Sequence, residues 1–243
     1  MPRFFADKEN IKDTSLTIIG DDAFHIARSL RMAVGDSLTV SDGEGTDILC
    51  RLSKIRDEEC ECEIIERREG EAESPARITL FMAYPKGDKL ELVIQKAVEL
   101  GVTRIVPFES SRCIKRPKAE KVDKQLARLQ RIAEEAAKQC GRSRVPTVTA
   151  PISFGEMLGA AKESSLPLFC YEAECGTSLK AALNGKSIDT VSIVVGSEGG
   201  FSEDEAAAAI SAGLISVSLG KRILRCETAP LFALSAIAYE LEL

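Results

Sequence analysis

The sequence predicts an α/β protein in which a small, mostly β-stranded N-terminal domain precedes a larger domain built on a parallel sheet. Residues 1–70 contain short alternating apolar runs separated by Gly and Asp turns, a pattern typical of strands in a small barrel. From Arg77 onward, buried strands alternate with amphipathic helices, which indicates a parallel sheet. The intervening stretch 71–75 is charged and ends at a proline, so we interpret it as a linker. The predicted domains are therefore 1–70 and 76–243.

The individual elements follow from apolar periodicity and from turn residues. Asp88–Leu100, for example, keeps its apolar residues on one helical face and is followed by the helix-stopping Gly101. In the first domain the predicted strands are Ser15–Ile19, Asp36–Val40, Asp47–Ile55 and Glu59–Glu66, and the predicted helix is Asp22–Ser29. In the second domain the predicted strands are Arg77–Tyr84, Thr103–Phe108, Pro146–Ala150, Leu166–Tyr171, Val191–Val195 and Ile215–Leu219. The other predicted helices are 118–140, Ser153–Lys162, Thr177–Leu183, one capped by Ser202, and one that begins at about Glu227.

Charge is distributed unevenly along a chain whose formal net charge is -6. This overall sign argues against a globally basic nucleic-acid-binding protein. Residues 1–70 hold 10 Lys/Arg against 16 Asp/Glu, whereas residues 112–144 hold 11 Lys/Arg against 4 Asp/Glu. A local excess of cations attracts phosphate, although many charge runs are only solvated helix faces. We therefore expect 112–144 to be the phosphate-binding part of the chain.

The cysteines and the apolar runs exclude two other classes of protein. There are eight cysteines, none in a CxxC pair, and one histidine, so we expect no metal site. The first residues have no long apolar core, which argues against a signal peptide. No apolar run approaches the ~20 residues that cross a bilayer. The expected location is a reducing cytoplasm, with no membrane partner.

Two backbone-rich loops near the C-terminus form the predicted site. The buried strand Val191–Val195 ends at the turn Gly196–Gly200, and the strand Ile215–Leu219 ends at Gly220. Ligands of open α/β sheets bind at the carboxyl ends of strands. The turn has neither the Gly-Lys-Ser/Thr of a phosphate-binding loop nor a GxGxxG fingerprint. It is either a tight strand-to-helix connection or a place where a ligand approaches the backbone closely.

Charged residues in these loops are the candidates for chemistry. Glu198 is an exposed carboxylate at a strand end, or a solvated acid that the following helix dipole favours. Three cations, at positions 221, 222 and 225, stand just before a helix start, where the dipole is unfavourable to them. We therefore favour a functional role for Arg225, and the alternative is a salt bridge to Glu198 or Glu227. In the first domain, Arg28 and Arg31 are spaced to share a helical face that suits phosphate.

The motifs Val194–Ser202 (VVGSEGGFS) and Leu219–Ala229 (LGKRILRCETA) resemble those of the bacterial ribosomal RNA small subunit methyltransferase E family. Arg3-Phe-Phe, the stretch His25–Arg31 and the segment Lys89–Gly101 also match, so the resemblance covers the whole chain. It implies a SPOUT-type methyltransferase domain with a trefoil knot, preceded by a PUA-like RNA-binding β-barrel. The sequence departs from the family pattern in having Ser197 and Lys221 where Pro is common and Cys226 where Thr is frequent.

The resemblance also implies a cofactor, a substrate and site residues. The cofactor is S-adenosylmethionine as methyl donor, without a metal, and the substrate is N3 of one uridine in 16S rRNA of the small ribosomal subunit. The enzyme is expected to be a homodimer through the knotted domain. The catalytic candidates are Glu198 as base, with Glu227 as the alternative, and Arg225 as the residue that stabilises charge on uracil. Cofactor contacts are expected at Cys170, Tyr171, Glu172, Val195, Gly196, Ser197, Gly199, Gly200, Leu219, Gly220, Ile223, Leu224 and Thr228. RNA contacts are expected at Arg3, His25, Arg28, Arg31, Arg112, Lys115, Arg116, Lys118 and Arg142.

Two alternatives stay open at this point. One is a SPOUT methyltransferase that acts on another RNA, either on a base or on a ribose 2′-hydroxyl. The other is a ribosome-assembly factor of the same fold that binds RNA without catalysis. The intact motifs at 196–200 and 219–228 argue against the second alternative. Analysis of the methylated product separates the first alternative from uridine-N3 methylation.

Overall fold

The computed structural model describes residues 1–114, 122–174, 176–185 and 188–243. The chain forms two compact units, and each has its own sheet. The first consists of Met1–Glu73 with Ala137–Val145, and the second of Ser74–Ala136 with Pro146–Leu243. The sequence pattern carried no signal that 137–145 would group with the first unit, because 137–140 are the end of a helix whose other residues belong to the second.

The first unit is a five-stranded sheet with the strand order β1-β3-β4-β5-β2. Only β1 and β3 are parallel, and the other neighbours are antiparallel. A short helix and a π-helical turn connect β2 to β3, where the sequence predicted one continuous helix. The sequence missed β1, because three residues are too short to show periodicity. The elements are β1 Arg3–Phe5, a 3₁₀ turn Lys8–Asn10, β2 Ser15–Ile19, α1 Asp21–Phe24, the π-helical turn His25–Ser29, β3 Ser37–Ser41, β4 Thr46–Ile55 and β5 Glu59–Glu69.

Alternation along the strands builds the core of this unit. On β4, for example, Ile48, Cys50 and Leu52 are buried at every second position. Cys60 and Cys62 of β5 face the same core. Burial raises the pKa of the Cys50 and Cys62 thiols to about 12, so these thiols behave as small apolar groups.

The second unit contains a seven-stranded parallel sheet with helices in its connections. Its main path is β12-β10-β11-β6-β7-β8, and β9 pairs with β7 beyond the end of β8. The strands are β6 Arg77–Ala83, β7 Arg104–Glu109, β8 Thr147–Val148, β9 Ile152–Ser153, β10 Leu166–Cys170, β11 Thr190–Val195 and β12 Ile215–Val217. The helices are α2 Lys89–Glu99, α3 Val122–Cys140, α4 Phe154–Ala161, α5 Leu179–Leu183, α6 Glu203–Ser211 and α7 Thr228–Glu242.

The predicted alternation of strands and helices is confirmed, with differences at element ends. The predicted helix 118–140 is described from Val122 onward, since 118–121 lie outside the described residues. The last strand ends at Val217 rather than Leu219. The reason is that Ser218 donates its N–H to the carbonyl of Thr177 (2.8 Å) and accepts from the N–H of Leu179 (3.0 Å), which takes the chain out of the ladder.

The register of three neighbouring strands sets the position of the site. Cys170, the last residue of β10, pairs with Val195 of β11 on one side and with Val217 of β12 on the other. All three strands are parallel and end level with one another, so the loops that follow them leave the sheet at one edge. The adjacent β6 is in register too, since its Met82 pairs with Val195.

The helix that follows the glycine turn begins as the sequence predicted. Ser202 is its N-cap and accepts from the N–H of Glu205 (3.2 Å), while the Glu205 carboxylate accepts from the N–H of Ser202 (3.0 Å). This capping box satisfies free N–H groups of the first turn. Among the described residues, no helix is both long enough and apolar enough to cross a membrane.

Candidate active site

A cavity of about 570 Å³ lies where the loops after β10, β11 and β12 converge. This volume is in the range typical of small-molecule sites. All but one of the residues expected from the sequence to contact a cofactor line this cavity, and the exception is Thr228. Those that do line it are Cys170, Tyr171, Glu172, Val195, Gly196, Ser197, Gly199, Gly200, Leu219, Gly220, Ile223 and Leu224. The three catalytic candidates Glu198, Arg225 and Glu227 line the same cavity.

The glycines of the turn after β11 are required by the chain's own packing. Gly200 has a φ of 63°, a conformation that favours glycine. A Cβ on Gly196 would lie 3.2 Å from the Cα of Gly200, and a Cβ on Gly199 would lie 2.9 Å from the Cβ of Arg112. The interpretation of the turn as a tight connection therefore applies, and the cavity beside it allows a ligand to approach as well.

The loop at the start of the basic stretch is hydrogen-bonded to this glycine turn. The Arg112 guanidinium donates to the Gly199 carbonyl (2.9 Å), and the Ser197 hydroxyl donates to the Arg112 carbonyl (3.5 Å). Nearby, the N–H of Ser111 donates to the Glu205 carboxylate (2.7 Å). Arg112, expected from the sequence to contact RNA, thus has a contact with the cavity wall that the sequence did not indicate.

A lysine and two glutamates form a charged cluster on the cavity wall. The Lys89 ammonium lies 2.9 Å from the Glu198 carboxylate and 3.4 Å from the Glu227 carboxylate. Glu198 also accepts from the N–H of Lys86 (3.1 Å). The Cys226 thiol donates to Glu227 (3.2 Å). One cation therefore joins the glycine turn to the loop before α7.

These contacts set the ionisation of the cluster. Burial opposes charge on Glu198, but hydrogen bonds from Lys89, its own N–H and Lys86 outweigh it and lower the pKa of the carboxyl. The pKa of Glu227 is lowered mainly by its own N–H, against burial, with help from Cys226 and Lys89. The hydrogen bond to Glu198 raises the pKa of Lys89. Burial raises the pKa of the Cys226 thiol to about 12. The cluster carries two negative charges and one positive charge at neutral pH.

Sequence reasoning missed Lys89, although a signal was present. Lys89 is the first residue of α2, the helix that follows β6, and the helix dipole disfavours a cation in the first turn. The same argument singled out Arg225. The alternative considered for Arg225 was a salt bridge to Glu198 or Glu227, but in the structure Lys89 forms the ion pairs with both glutamates. The Arg225 side chain is exposed at the cavity, and its carbonyl accepts the N–H groups that start α7.

Two arginines expected to bind RNA are held inside the first unit. The Arg3 guanidinium donates to the Asp47 carboxylate (2.8 Å) and to the Ser41 hydroxyl (2.7 Å). Arg142 is 2% exposed and forms an ion pair with Glu73 (2.6 Å). A guanidinium that is buried against a carboxylate has no free surface for phosphate, so Arg142 is omitted from the interface proposed below.

The other RNA-binding candidates of this unit are exposed. His25 lies edge-on to Phe4 with ring centroids 6.4 Å apart, and Arg28 donates to Asp57 (2.9 Å). Arg31 lies beyond the helical turn with a φ of 52°, in the left-handed region, so the prediction that it shares a helical face with Arg28 is wrong. Lys115, Arg116 and Lys118 lie outside the described residues.

Much of the positive charge on α3 is compensated locally. Arg128 forms an ion pair with Glu91 (2.9 Å) and Arg131 with Glu135 (3.0 Å). A phosphate-binding role for the basic stretch therefore depends mainly on the cations that precede the helix. In the described part of the chain, no cluster of three or more His, Cys, Asp or Glu could hold a metal ion.

Comparisons with known proteins define the class. A sequence profile described as an RNA methyltransferase domain matches residues 72–238, and one described as an RNA methyltransferase PUA domain matches residues 18–65. The protein is thus an RNA methyltransferase with an N-terminal PUA domain. The ribosomal RNA small subunit methyltransferase E of Bacillus subtilis is 34% identical, with 100% of this chain and 98% of the relative covered. That of Synechocystis is 34% identical over 99% of this chain and 78% of the relative.

Solved structures agree with these relatives. The ribosomal RNA small subunit methyltransferase E of Neisseria gonorrhoeae, solved with S-adenosylmethionine bound, aligns with a TM-score of 0.85 at 34% identity, over 98% of this chain and 97% of that one. A protein of Legionella pneumophila, solved with the same cofactor, aligns with a TM-score of 0.86 at 30% identity over 98% and 96%. The chain belongs to the ribosomal RNA small subunit methyltransferase E family. Its predicted fold class, a SPOUT-type methyltransferase domain with an N-terminal PUA-like domain, is confirmed.

Proposed function

We propose that this protein transfers a methyl group from S-adenosylmethionine to N3 of a uridine in 16S rRNA of the small ribosomal subunit. The main support for the proposal is that β10, β11 and β12 end at the same level of the sheet, beside a cavity that residues of both family motifs line. Relatives named ribosomal RNA small subunit methyltransferase E cover the chain nearly end to end.

The cavity fits the cofactor in size and in chemistry. Its wall carries the apolar side chains of Leu219, Ile223 and Leu224, which suit an adenine ring, and a long stretch of backbone that suits its polar edge. When bound, S-adenosylmethionine supplies an electrophilic methyl group.

Adding a methyl group at Gly199 is expected to weaken cofactor binding. A Cβ at this position meets the Cβ of Arg112 at 2.9 Å, so Gly199→Ala displaces either the turn or the 110–113 loop. Cofactor binding needs the turn in its original position, and holding it there against the overpacking costs about 1–3 kcal/mol, which corresponds to a loss of affinity of about 5- to 150-fold. Calorimetric titration with S-adenosylmethionine measures it. The control is Gly159→Ala on the exposed face of α4, which has open space and should leave the affinity unchanged.

The chain's own groups have three tasks in the reaction. A uridine N3 proton must leave before the nitrogen can attack the methyl group, and Glu198 or Glu227 accepts it. Arg225, exposed at the cavity, stabilises the negative charge that spreads onto the uracil oxygens. The loops that form the cavity hold the two reactants in line.

The contacts favour Glu227 over Glu198 as the base, which reverses the order suggested by sequence. Glu198 accepts from the Lys89 ammonium at 2.9 Å and from the Lys86 N–H. Glu227 is farther from Lys89, at 3.4 Å, and its other side-chain partner is the weakly donating Cys226 thiol. A carboxylate with fewer strong donors is more available to take a proton.

Ribosomal RNA is proposed to bind the exposed cations of the first unit and the part of the basic stretch that precedes α3. Charge reversal of Lys115, Arg116 and Lys118 together should weaken binding and reduce the steepness of its salt dependence. Each lost phosphate contact removes about 0.9 from the slope of log K against log salt. Filter binding of 16S rRNA between low and moderate salt measures this slope. Reversal of Lys96, Lys162 and Lys180, which belong to the second unit and are outside the stretch, is the control, and an equal effect of both triple variants would contradict the proposal.

A homodimer through the second unit is proposed on the basis of α7. Its Ala233, Leu234 and Ile237 are buried within the chain, as expected for a helix packed on its own domain. Phe232 and Tyr239, seven residues apart and so on one face, are 43% and 70% exposed. We assign the dimer contact to this exposed face, and sedimentation in solution tests it.

The proposed function is tested by methyl incorporation into RNA. Small ribosomal subunits that lack the modification should accept label from S-adenosylmethionine, whereas large subunits should not. No incorporation, together with no cofactor binding, would favour the non-catalytic assembly factor. As an enzyme that acts on ribosomal subunits, the protein is proposed to work in the cytoplasm.

A further inference from the structure

Lys89 occupies a central position in the cavity wall. Lys89 is the first residue of α2, the helix that follows strand β6, and β6 pairs with β11. From there the ammonium reaches Glu198 in the glycine turn and Glu227 at the start of α7. It also lies 3.8 Å from the Cys226 sulfur. One side chain therefore contacts both loops that carry the family motifs.

The two glutamates are close to each other because they share this cation. Their oxygens lie 2.9 and 3.4 Å from the same nitrogen. Charged groups within ~4–6 Å of each other shift one another's pKa values strongly. Without the ammonium, two carboxylates on one cavity wall would repel, and one of them would hold a proton at a higher pH. The buried Cys226 thiol, which stays neutral, cannot replace the missing cation.

We propose that Lys89 is a positioning residue that keeps Glu198 and Glu227 ionised together, so that one carboxylate is free to accept the uridine proton. The inference rests on the proposed function for its last step. Lys89 acts through the two carboxylates and does not itself take the proton, because its own charge is stabilised by both.

Other charged groups on the cavity wall are separate from this cluster. Glu172 follows β10, and Lys221, Arg222 and Arg225 belong to the loop after β12. Lys86 contributes its backbone N–H to Glu198. The groups that face Lys89 from the elements packed around it are therefore Glu198, Glu227 and Cys226.

The pH dependence of single-turnover methyl transfer tests the proposal. In Lys89→Met, the acid limb of the profile should move to higher pH by about one unit or more, since loss of a paired charge shifts a carboxyl pKa by roughly 1–3 units. The rate should recover as the pH rises. Lys89→Arg keeps the charge and should retain the limb of the unmodified protein. Lys96→Met, on the surface of the same helix, is the matched control and should change nothing.

A second variant and a second readout keep the test decisive. Adding Glu198→Gln to Lys89→Met removes one carboxylate and should bring the acid limb back toward lower pH. Titration of ¹³C-labelled glutamate by NMR, assigned with Glu198→Gln and Glu227→Gln, should show both carboxyls of the unmodified protein titrating below the ordinary ~4.3. The same titration of Lys89→Met should show one of the two carboxyls titrating at a higher pH than in the unmodified protein, and it needs no activity. If the unmodified protein transfers no methyl group, the proposed function fails while the titration still decides the role of Lys89.

Two results would overturn the inference. One is a loss of rate in Lys89→Met that is the same at every pH, which is what a purely structural anchor between α2 and the loops would give. The other is an ordinary titration of both glutamates in the unmodified protein.

Discussion

Single-turnover methyl transfer is expected to fall by about 10²-fold or more when Glu227 is replaced by Gln. General base catalysis contributes roughly 10²–10⁴-fold, and Gln has the shape of Glu but cannot accept the proton. Glu227 lines the cavity with few strong donors on its carboxylate. Glu198→Gln is expected to have a smaller effect on the chemical step, because Glu198 is engaged by Lys89 and by a backbone N–H. Rapid-quench assays with saturating cofactor and excess enzyme measure both rates.

The control for this prediction is cofactor affinity. Both variants should bind S-adenosylmethionine with an affinity within a few-fold of the unmodified protein, because the backbone and apolar parts of the cavity are unchanged. A large fall for Glu198→Gln alone would restore Glu198 as the base. Near-normal rates in both variants would refute a carboxylate base, and water would then be the group that removes the proton.

The free energy of unfolding of the first unit is expected to fall by about 3–5 kcal/mol when Arg142 is replaced by Met, the cost of leaving a buried charge without its partner. The side chains of Arg142 and Glu73 are 3% and 16% exposed, with 2.6 Å between them. Glu73 also accepts the N–H groups of Ser143 and Arg144, so the pair holds 142–144 in place. Urea denaturation followed by circular dichroism measures the loss.

This prediction separates a structural role of Arg142 from the RNA-binding role that its sequence context suggested. Arg144→Met, in the same segment but exposed, should change stability by no more than about 0.5 kcal/mol. Under conditions where Arg142→Met is folded, its affinity for 16S rRNA should equal that of the unmodified protein. Unchanged stability together with weaker RNA binding would place the Arg142 guanidinium on RNA.

Most of the fold was predictable because local patterns encode it. The β-branched run at Val191–Val195 and the capping box of Ser202 and Glu205 appear in the structure as the sequence indicated. Elements with little local signal were missed or misplaced, such as β1, with three residues, and the end of β12, which is set by a contact with Thr177. The trefoil knot implied by the family resemblance is a matter of chain threading, which no local pattern specifies.

The cavity was predictable in outline for a similar reason. Strand ends followed by glycines mark the edge of a parallel sheet where ligands bind, and the loops after β11 and β12 do meet there. The contacts of single charged residues were not predictable. The register of β6 against β11 determines which cation lies between Glu198 and Glu227. The sequence suggested Arg225, whereas the structure has Lys89 there. In the same way, the burial of Arg142 depends on Glu73, 69 residues earlier in the chain.

The most direct test of the central claim is the identity of the methylated nucleoside. Small subunits lacking the modification would be incubated with labelled S-adenosylmethionine, and their 16S rRNA digested to nucleosides for mass spectrometry. The account predicts a single labelled product, 3-methyluridine. A 2′-O-methylated nucleoside, or a methyl group on another base, would contradict it and identify a methyltransferase of the same fold with a different target.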